Sequence, residues 1–179
     1  MAWASVTLAS ATRMEISPAL TTVDLLLRLG AATLAGALIG LNRDLYHKPA
    51  GMRTHALVSL GAAGMTLLAL AVAWDGQSIP ERRAITQVLQ GIITGIGFLG
   101  GGVILRDLSN KQVHGLTTAA TIWLAASFGM VFGAAYWTVG GVMVALTFVI
   151  LVLGDYVENL TLRVWHQKEP NEKEREGHF

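Results

Sequence analysis

The sequence predicts an all-α membrane bundle of about five transmembrane helices. Three observations carry that prediction. Charged residues make up only 14% of the 179 residues and hydrophobic ones 53%, against roughly 25% charge in a soluble domain. The charges are segregated, gathering between and beyond five apolar runs. Each run is about 20 residues long, and at 1.5 Å per residue that length crosses a bilayer core. Runs this free of charge have no polar face to offer water, which excludes a soluble helical bundle.

The elements follow in order. Residues 1–22 form a lead. Met1 to Ala11 is mildly apolar with no basic stretch before it, so a cleaved signal peptide is not expected. Met14, followed by Glu15-Ile16-Ser17-Pro18, offers an alternative start. The transmembrane domain is expected over 23–153. Its first span is Val23 to Leu41, apolar except for Asp24, Arg28 and Thr33. The second is Thr54 to Trp74, with His55 at its edge. The third, Ala84 to Leu105, is uncharged throughout. The fourth is Leu116 to about Ala134 and the fifth about Tyr136 to Leu153. Ala134-Ala135-Tyr136-Trp137 divides these two as an interfacial turn, because Tyr and Trp favour the membrane–water boundary. Residues 154–179 read as a polar cytoplasmic tail, disordered from Lys168 onward.

Lys and Arg set the orientation. Arg43, Lys48 and Arg53 follow span one, Arg106 and Lys111 follow span three, and Arg163, Lys168, Lys173 and Arg175 lie in the tail. The opposite side holds Arg13, Arg82 and Arg83. The positive-inside rule places the larger group in the cytoplasm, with the N-terminus out and the C-terminus in.

Several function classes drop out. The chain has no Cys, so there is neither a disulfide framework nor thiol chemistry. It lacks a basic stripe with interleaved aromatics, so nucleic-acid binding is not expected. Zinc-protease, nucleophile-elbow and Walker A motifs are absent, and the chain is expected to be no enzyme and to need no cofactor. Gly95-Ile96-Gly97-Phe98-Leu99-Gly100 is formally a dinucleotide fingerprint. It lies inside an uncharged span with no preceding strand, so it reads as helix packing. The same holds for Gly36-x-x-x-Gly40, Gly91-x-x-x-Gly95 and Gly129-x-x-x-Gly133, each expected to mark a packing face.

The polar residues are the site candidates. Gln87, Gln90 and Thr94 share one face of span three with Gly91, Phe98 and Gly101. Amides in lipid must find partners inside a bundle, and Thr117 and Thr121 on span four are available. That face is expected either to fix packing or to line a polar cavity. Arg28 sits one turn after Asp24, which suits an ion pair. Intramembrane charge is costly and marks a site unless it snorkels outward. The densest cluster is cytoplasmic: Arg43, Asp44, Arg53, Arg106 and Asp107, with Pro49 and Gly51 turning the first loop. Topogenic charge and contact with lipid headgroups account for it in one reading. An anion or partner site is the other. Asp44 and Asp107 are weak candidates for Mg²⁺, since each has an Arg beside it.

Three stretches together resemble the MgtC/SapB family. They are Gly36-Ala-Leu-Ile-Gly-Leu-Asn-Arg-Asp44 running into Lys48-Pro-Ala-Gly-Met-Arg-Thr-His-Ala-Leu57, then Gln90 to Arg106, then His114-Gly-Leu-Thr-Thr-Ala-Ala-Thr-Ile-Trp-Leu-Ala-Ala125. The resemblance implies a five-span bacterial inner-membrane protein with a cytoplasmic C-terminus, in line with the charge count. The family name records a Mg²⁺ transporter role. Its best-known members are linked to growth in low Mg²⁺, to virulence inside host cells and to restraint of the F-type ATP synthase. Positions important in them fall here on Asp44, Asp107 and Thr117. This chain departs at Thr117 where the virulence members have Asn, at Asp107 where they have Glu, and at Leu124 where they have Cys. It is also expected to be a short form without their cytoplasmic C-terminal domain, which makes the shorter SapB-like branch the expected comparison. The expected role is a non-enzymatic protein of Mg²⁺ homeostasis or a modulator of a membrane partner such as that synthase. The alternative is a transporter or channel for Mg²⁺ or another ion. Beyond the lipid bilayer, further copies of the chain are a partner left open.

Overall fold

A computed structural model describes residues 20–74, 80–107 and 112–166. The lead up to residue 19, including Met14, and the tail from residue 167 lie outside the described residues, as do Gln77 and Lys111. Five helices are long and apolar enough to cross a membrane. They are α1 (Thr22–Leu45), α2 (Met52–Trp74), α3 (Pro80–Gly102), α4 (Leu116–Gly133) and α5 (Trp137–His166). Each expected span is matched within a few residues. Between α3 and α4 the chain forms a hairpin of β1 (Leu105–Asp107) and β2 (Gln112–His114), antiparallel, with Arg106 opposite Val113. The sequence reading carried span three through to Leu105, but the helix stops at Gly102, where three consecutive glycines weaken it. The last helix does the opposite. It continues past Leu153 to His166 and takes up the first half of the expected tail, since polar residues after Gly154 do not themselves stop a helix.

One compact unit ends at Gly140, and the rest of α5 forms a second. The core of the first unit is built by α1, α2 and α4. Small residues let these helices approach closely. A Cβ on Gly36 would stand 2.5 Å from the His55 carbonyl oxygen and 2.8 Å from the Ser59 Cβ. One on Gly133 would stand 2.8 Å from the Ala63 carbonyl oxygen, and one on Gly129 2.7 Å from the Ala62 Cβ. Ala32, Ala35, Ala63, Ala125, Ile39 and Phe128 fill the space between. Ser59 ties α2 to α1 by donating its hydroxyl to the Ala32 carbonyl at 2.7 Å.

The third expected packing face behaves differently. A Cβ on Gly91 or Gly95 would meet nothing within 4 Å. The Gly91–Gly95 pair is therefore not a packing face within this unit. α3 touches α4 at Gly100, where an added Cβ would lie 3.6 Å from that of Ala119. Beside α2 it leaves a cleft of about 400 Å³, lined by Leu57, Gly61 and Met65 on one wall and Gly91, Gly95 and Leu99 on the other.

Helix ends are closed with care. α1 and α4 both finish with a residue in the left-handed region, His47 (φ 52) and Ala135 (φ 62). After α1, the Lys48 N–H donates to the Arg43 carbonyl and the His47 N–H to that of Asp44, each at 3.0 Å. After α4, Tyr136 and Ala135 donate in the same way to Val131 and Phe132. This paired 6→1 and 5→2 arrangement satisfies carbonyls that a helix end otherwise leaves bare.

Candidate functional site: a buried polar clamp at the α1–α2 turn

The loop after α1 folds back on itself. A second left-handed residue, Ala50 (φ 58), brings Gly51 against the Asp44 carboxylate, where any side chain would collide. Asp44 Oδ2 then accepts the Met52 N–H at 2.9 Å. A carboxylate at the first turn of α2 meets both an orphan donor and the positive end of the helix dipole. Asp44 is thus a helix cap. That bond occupies one of its two oxygens. Among the described residues no three His, Asp or Glu side chains come together as a metal site.

Arg43 is also not a loop charge. It is only 4% exposed, and its Nη2 donates to the Thr118 hydroxyl at 3.2 Å. One turn further along α2, His55 is fully buried. The Gly51 carbonyl can only accept, so Nδ1 carries a hydrogen and donates to it at 2.9 Å. In the neutral ring Nε2 then accepts from the Thr121 hydroxyl, 3.0 Å away. That hydroxyl also lies 2.9 Å from the Thr118 carbonyl, its alternative acceptor. Arg43, His55, Thr118 and Thr121 therefore connect α1, α2 and α4 through side chains that never reach solvent. Around them, Lys48 and Arg53 are exposed and form a cationic rim.

The sequence reading identified Arg43 and Thr121 but missed His55 and Thr118. His55 had a signal: it is an imidazole inside an otherwise apolar run. Thr118 had none that separates it from Thr117, which faces outward and is exposed. Neither Thr117 nor Thr121 pairs with the amides of α3, the partnership the sequence suggested. Gln87, Gln90 and Thr94 are exposed on α3 and make no hydrogen bond among the described residues. Arg106 and Asp107 fall on β1, with side chains outside the described part.

A second polar contact lies at the other end of the same helices. Arg28 Nη2 meets Asp24 Oδ2 at 2.7 Å, the i,i+4 pair expected. Its Nη1 donates to the carbonyl of Gly133, the last residue of α4, at 3.3 Å. A cation at a helix C-terminus meets the bare carbonyls and the negative end of the dipole. Arg28 therefore fastens α1 to α4 and does not simply turn outward.

The comparisons with known proteins agree with this architecture. The family model described as "MgtC family" matches residues 29–160. SrpB of Synechococcus elongatus is 39% identical over 135 residues, covering 72% of each chain. SapB of Bacillus subtilis is 40% identical over 118 residues, 64% of this chain and 49% of that one. YhiD of Escherichia coli K12, provisionally named a magnesium transporter, is 34% identical over 151 residues, 82% of this chain and 62% of that one. The chain thus spans about half of SapB and under two thirds of YhiD. No solved structure gives a significant match. The matched segment begins inside α1, runs through the clamp residues on α1, α2 and α4, and ends in α5; the chain belongs to the MgtC family.

Proposed function

We propose that this protein is a non-enzymatic, multi-pass protein of the bacterial inner membrane, N-terminus out and C-terminus in. It serves Mg²⁺ homeostasis by modulating a membrane partner through its cytoplasmic face. One observation carries the reading. Arg43, His55, Thr118 and Thr121 are spent on one another and Asp44 on the start of α2, while Lys48 and Arg53 at the same end are exposed to a partner. Arg suits bidentate recognition of carboxylate or phosphate, on a partner protein such as the ATP synthase that the resemblance implies or on a lipid headgroup.

Transport of Mg²⁺ or another ion is the second reading. The provisional name of YhiD and the bare amides of α3 favour it. A paired set of substitutions separates the two. Arg53→Gln and Asp44→Asn, which keeps a capping oxygen, are set against Gln90→Leu and Thr94→Val, each scored for growth in low Mg²⁺ at matched membrane levels. The proposal expects loss at Arg53→Gln, little change at Asp44→Asn, and no Mg²⁺ flux through the purified protein in liposomes. Loss confined to the α3 pair, with flux, establishes transport instead. Topology is checked on the Cys-free chain. Cys at Lys48 stays protected from an impermeant reagent added outside, while Cys at Gln77 labels; labelling at 48 overturns the orientation.

A further inference from the structure

The amides of α3 pose a problem that the described unit does not solve. The candidate span runs Arg83–Gly102. Gln90 lies roughly 4 Å along the axis from its midpoint and Thr94 about 2 Å, at 1.5 Å per residue. Neither is near enough to an interface to reach headgroups or water from that depth. Both are exposed and make no hydrogen bond among the described residues, and Gln87 on the same face is in the same state. A lipid tail offers neither donor nor acceptor, so an amide held there must be met by protein.

The rest of that face is shaped for close contact. Gly91 and Gly101 share it, and a Cβ on either would meet nothing within 4 Å. Phe98, 84% exposed, is its one large side chain. The two glycine pairs inside the unit show what such a surface does when it is occupied, since Gly36 and Gly133 each sit against the backbone of another helix.

We propose that α3 docks on α3 of a second copy of this chain, with a two-fold axis along the membrane normal. Chemical complementarity selects this occupant. A Gln side chain is at once donor and acceptor, so two identical faces brought together by a two-fold axis satisfy each other. Two copies inserted with the same topology present Gln90 and Thr94 at the same depth, where partner amides meet. The inference stands apart from the proposed function, because neither the modulator nor the transporter reading decides it.

The experiment is cysteine cross-linking in native membranes on the Cys-free chain. Thr94→Cys and Phe98→Cys are expected to form a covalent dimer under a short thiol cross-linker, whereas Leu34→Cys, exposed on α1, is not. Subunit counting by single-molecule photobleaching is expected to give two copies. The double change Gln87→Leu, Gln90→Leu should lower the dimer fraction about tenfold, and Gly91→Ile at least as much, with unchanged thermal stability of the dissociated chain. A cross-link to a different protein overturns the second-copy assignment. So does a single copy per spot with no cross-link at 94 or 98. Labelling of Thr94→Cys by a water-soluble maleimide, without dimer, assigns the face to a water-filled route instead.

Discussion

The core helices α1, α2 and α4 and the peripheral helix α3 share a vocabulary of glycine pairs and polar side chains, yet the fold uses it in opposite ways. In the core, Gly36, Gly129 and Gly133 have backbone pressed against the place a Cβ would take, and every buried hydroxyl described above has a partner. On α3 the same G-x-x-x-G spacing opens on a cleft beside α2 where an added Cβ would meet nothing within 4 Å, and the amides have no partner among the described residues. The burial reflects this: 56% of the α4 span window is buried and only 6% of that of α3. A glycine pair is therefore a licence for close approach and names no partner. What decides is whether another helix of the unit has a matching polar group at the same depth.

The comparison can be broken most directly at the glycines. Gly129→Val should cost about 3 kcal/mol, because overpacking here meets the α2 backbone. Gly91→Val should leave the single-chain stability within about 0.5 kcal/mol of wild type. Thermal unfolding in detergent, at a dilution where single copies dominate, measures both; equal losses would erase the distinction between the helices.

The next test sharpens the role of the core polar groups. His55→Leu should destabilise by about 2 kcal/mol, since it removes the buried bond between α2 and α4 and leaves the Thr121 hydroxyl only the Thr118 carbonyl of its own helix. Arg28→Leu should cost a similar amount, about 2 kcal/mol, by stranding Asp24, while Arg28→Lys keeps the ion pair and loses less. Near-wild-type unfolding for both Arg28 variants would return that residue to simple snorkelling.

Two smaller effects concern helix ends. Asp44→Ala should lose about 1 kcal/mol and Asp44→Asn only a few tenths, because Asn keeps the oxygen that accepts the Met52 N–H. Ala135→Gly should gain about 0.5 kcal/mol by relieving a left-handed alanine, partly offset by the freedom Gly has when unfolded. Calorimetric midpoints resolve both.

Much of the fold was legible because a bilayer imposes length and apolarity on every span. The burial pattern was less so. The runs of α2 and α4 are apolar on every side, so no periodicity tells which side faces a neighbour, and Thr118 looks like Thr117 until the helix is placed. The capping role of Asp44 was not legible, because it depends on left-handed backbone at His47 and Ala50, neither of which is a glycine. The amides of α3 were expected to find partners inside the bundle, and the sequence of a single chain offered its own threonines as candidates; among the described residues they find none.

Arg28 carries a consequence for biogenesis. Asp24 is four residues away and reaches Arg28 once a single turn of α1 has formed, whereas the Gly133 carbonyl lies 105 residues downstream. At a synthesis rate of 5–20 residues per second, that carbonyl emerges roughly 5–20 s later. During the interval the aspartate alone neutralises a charge that would otherwise resist partition from the translocon into lipid. The ion pair is then a chaperone built into the first helix, holding the arginine in a tolerable state until the fourth arrives to receive it.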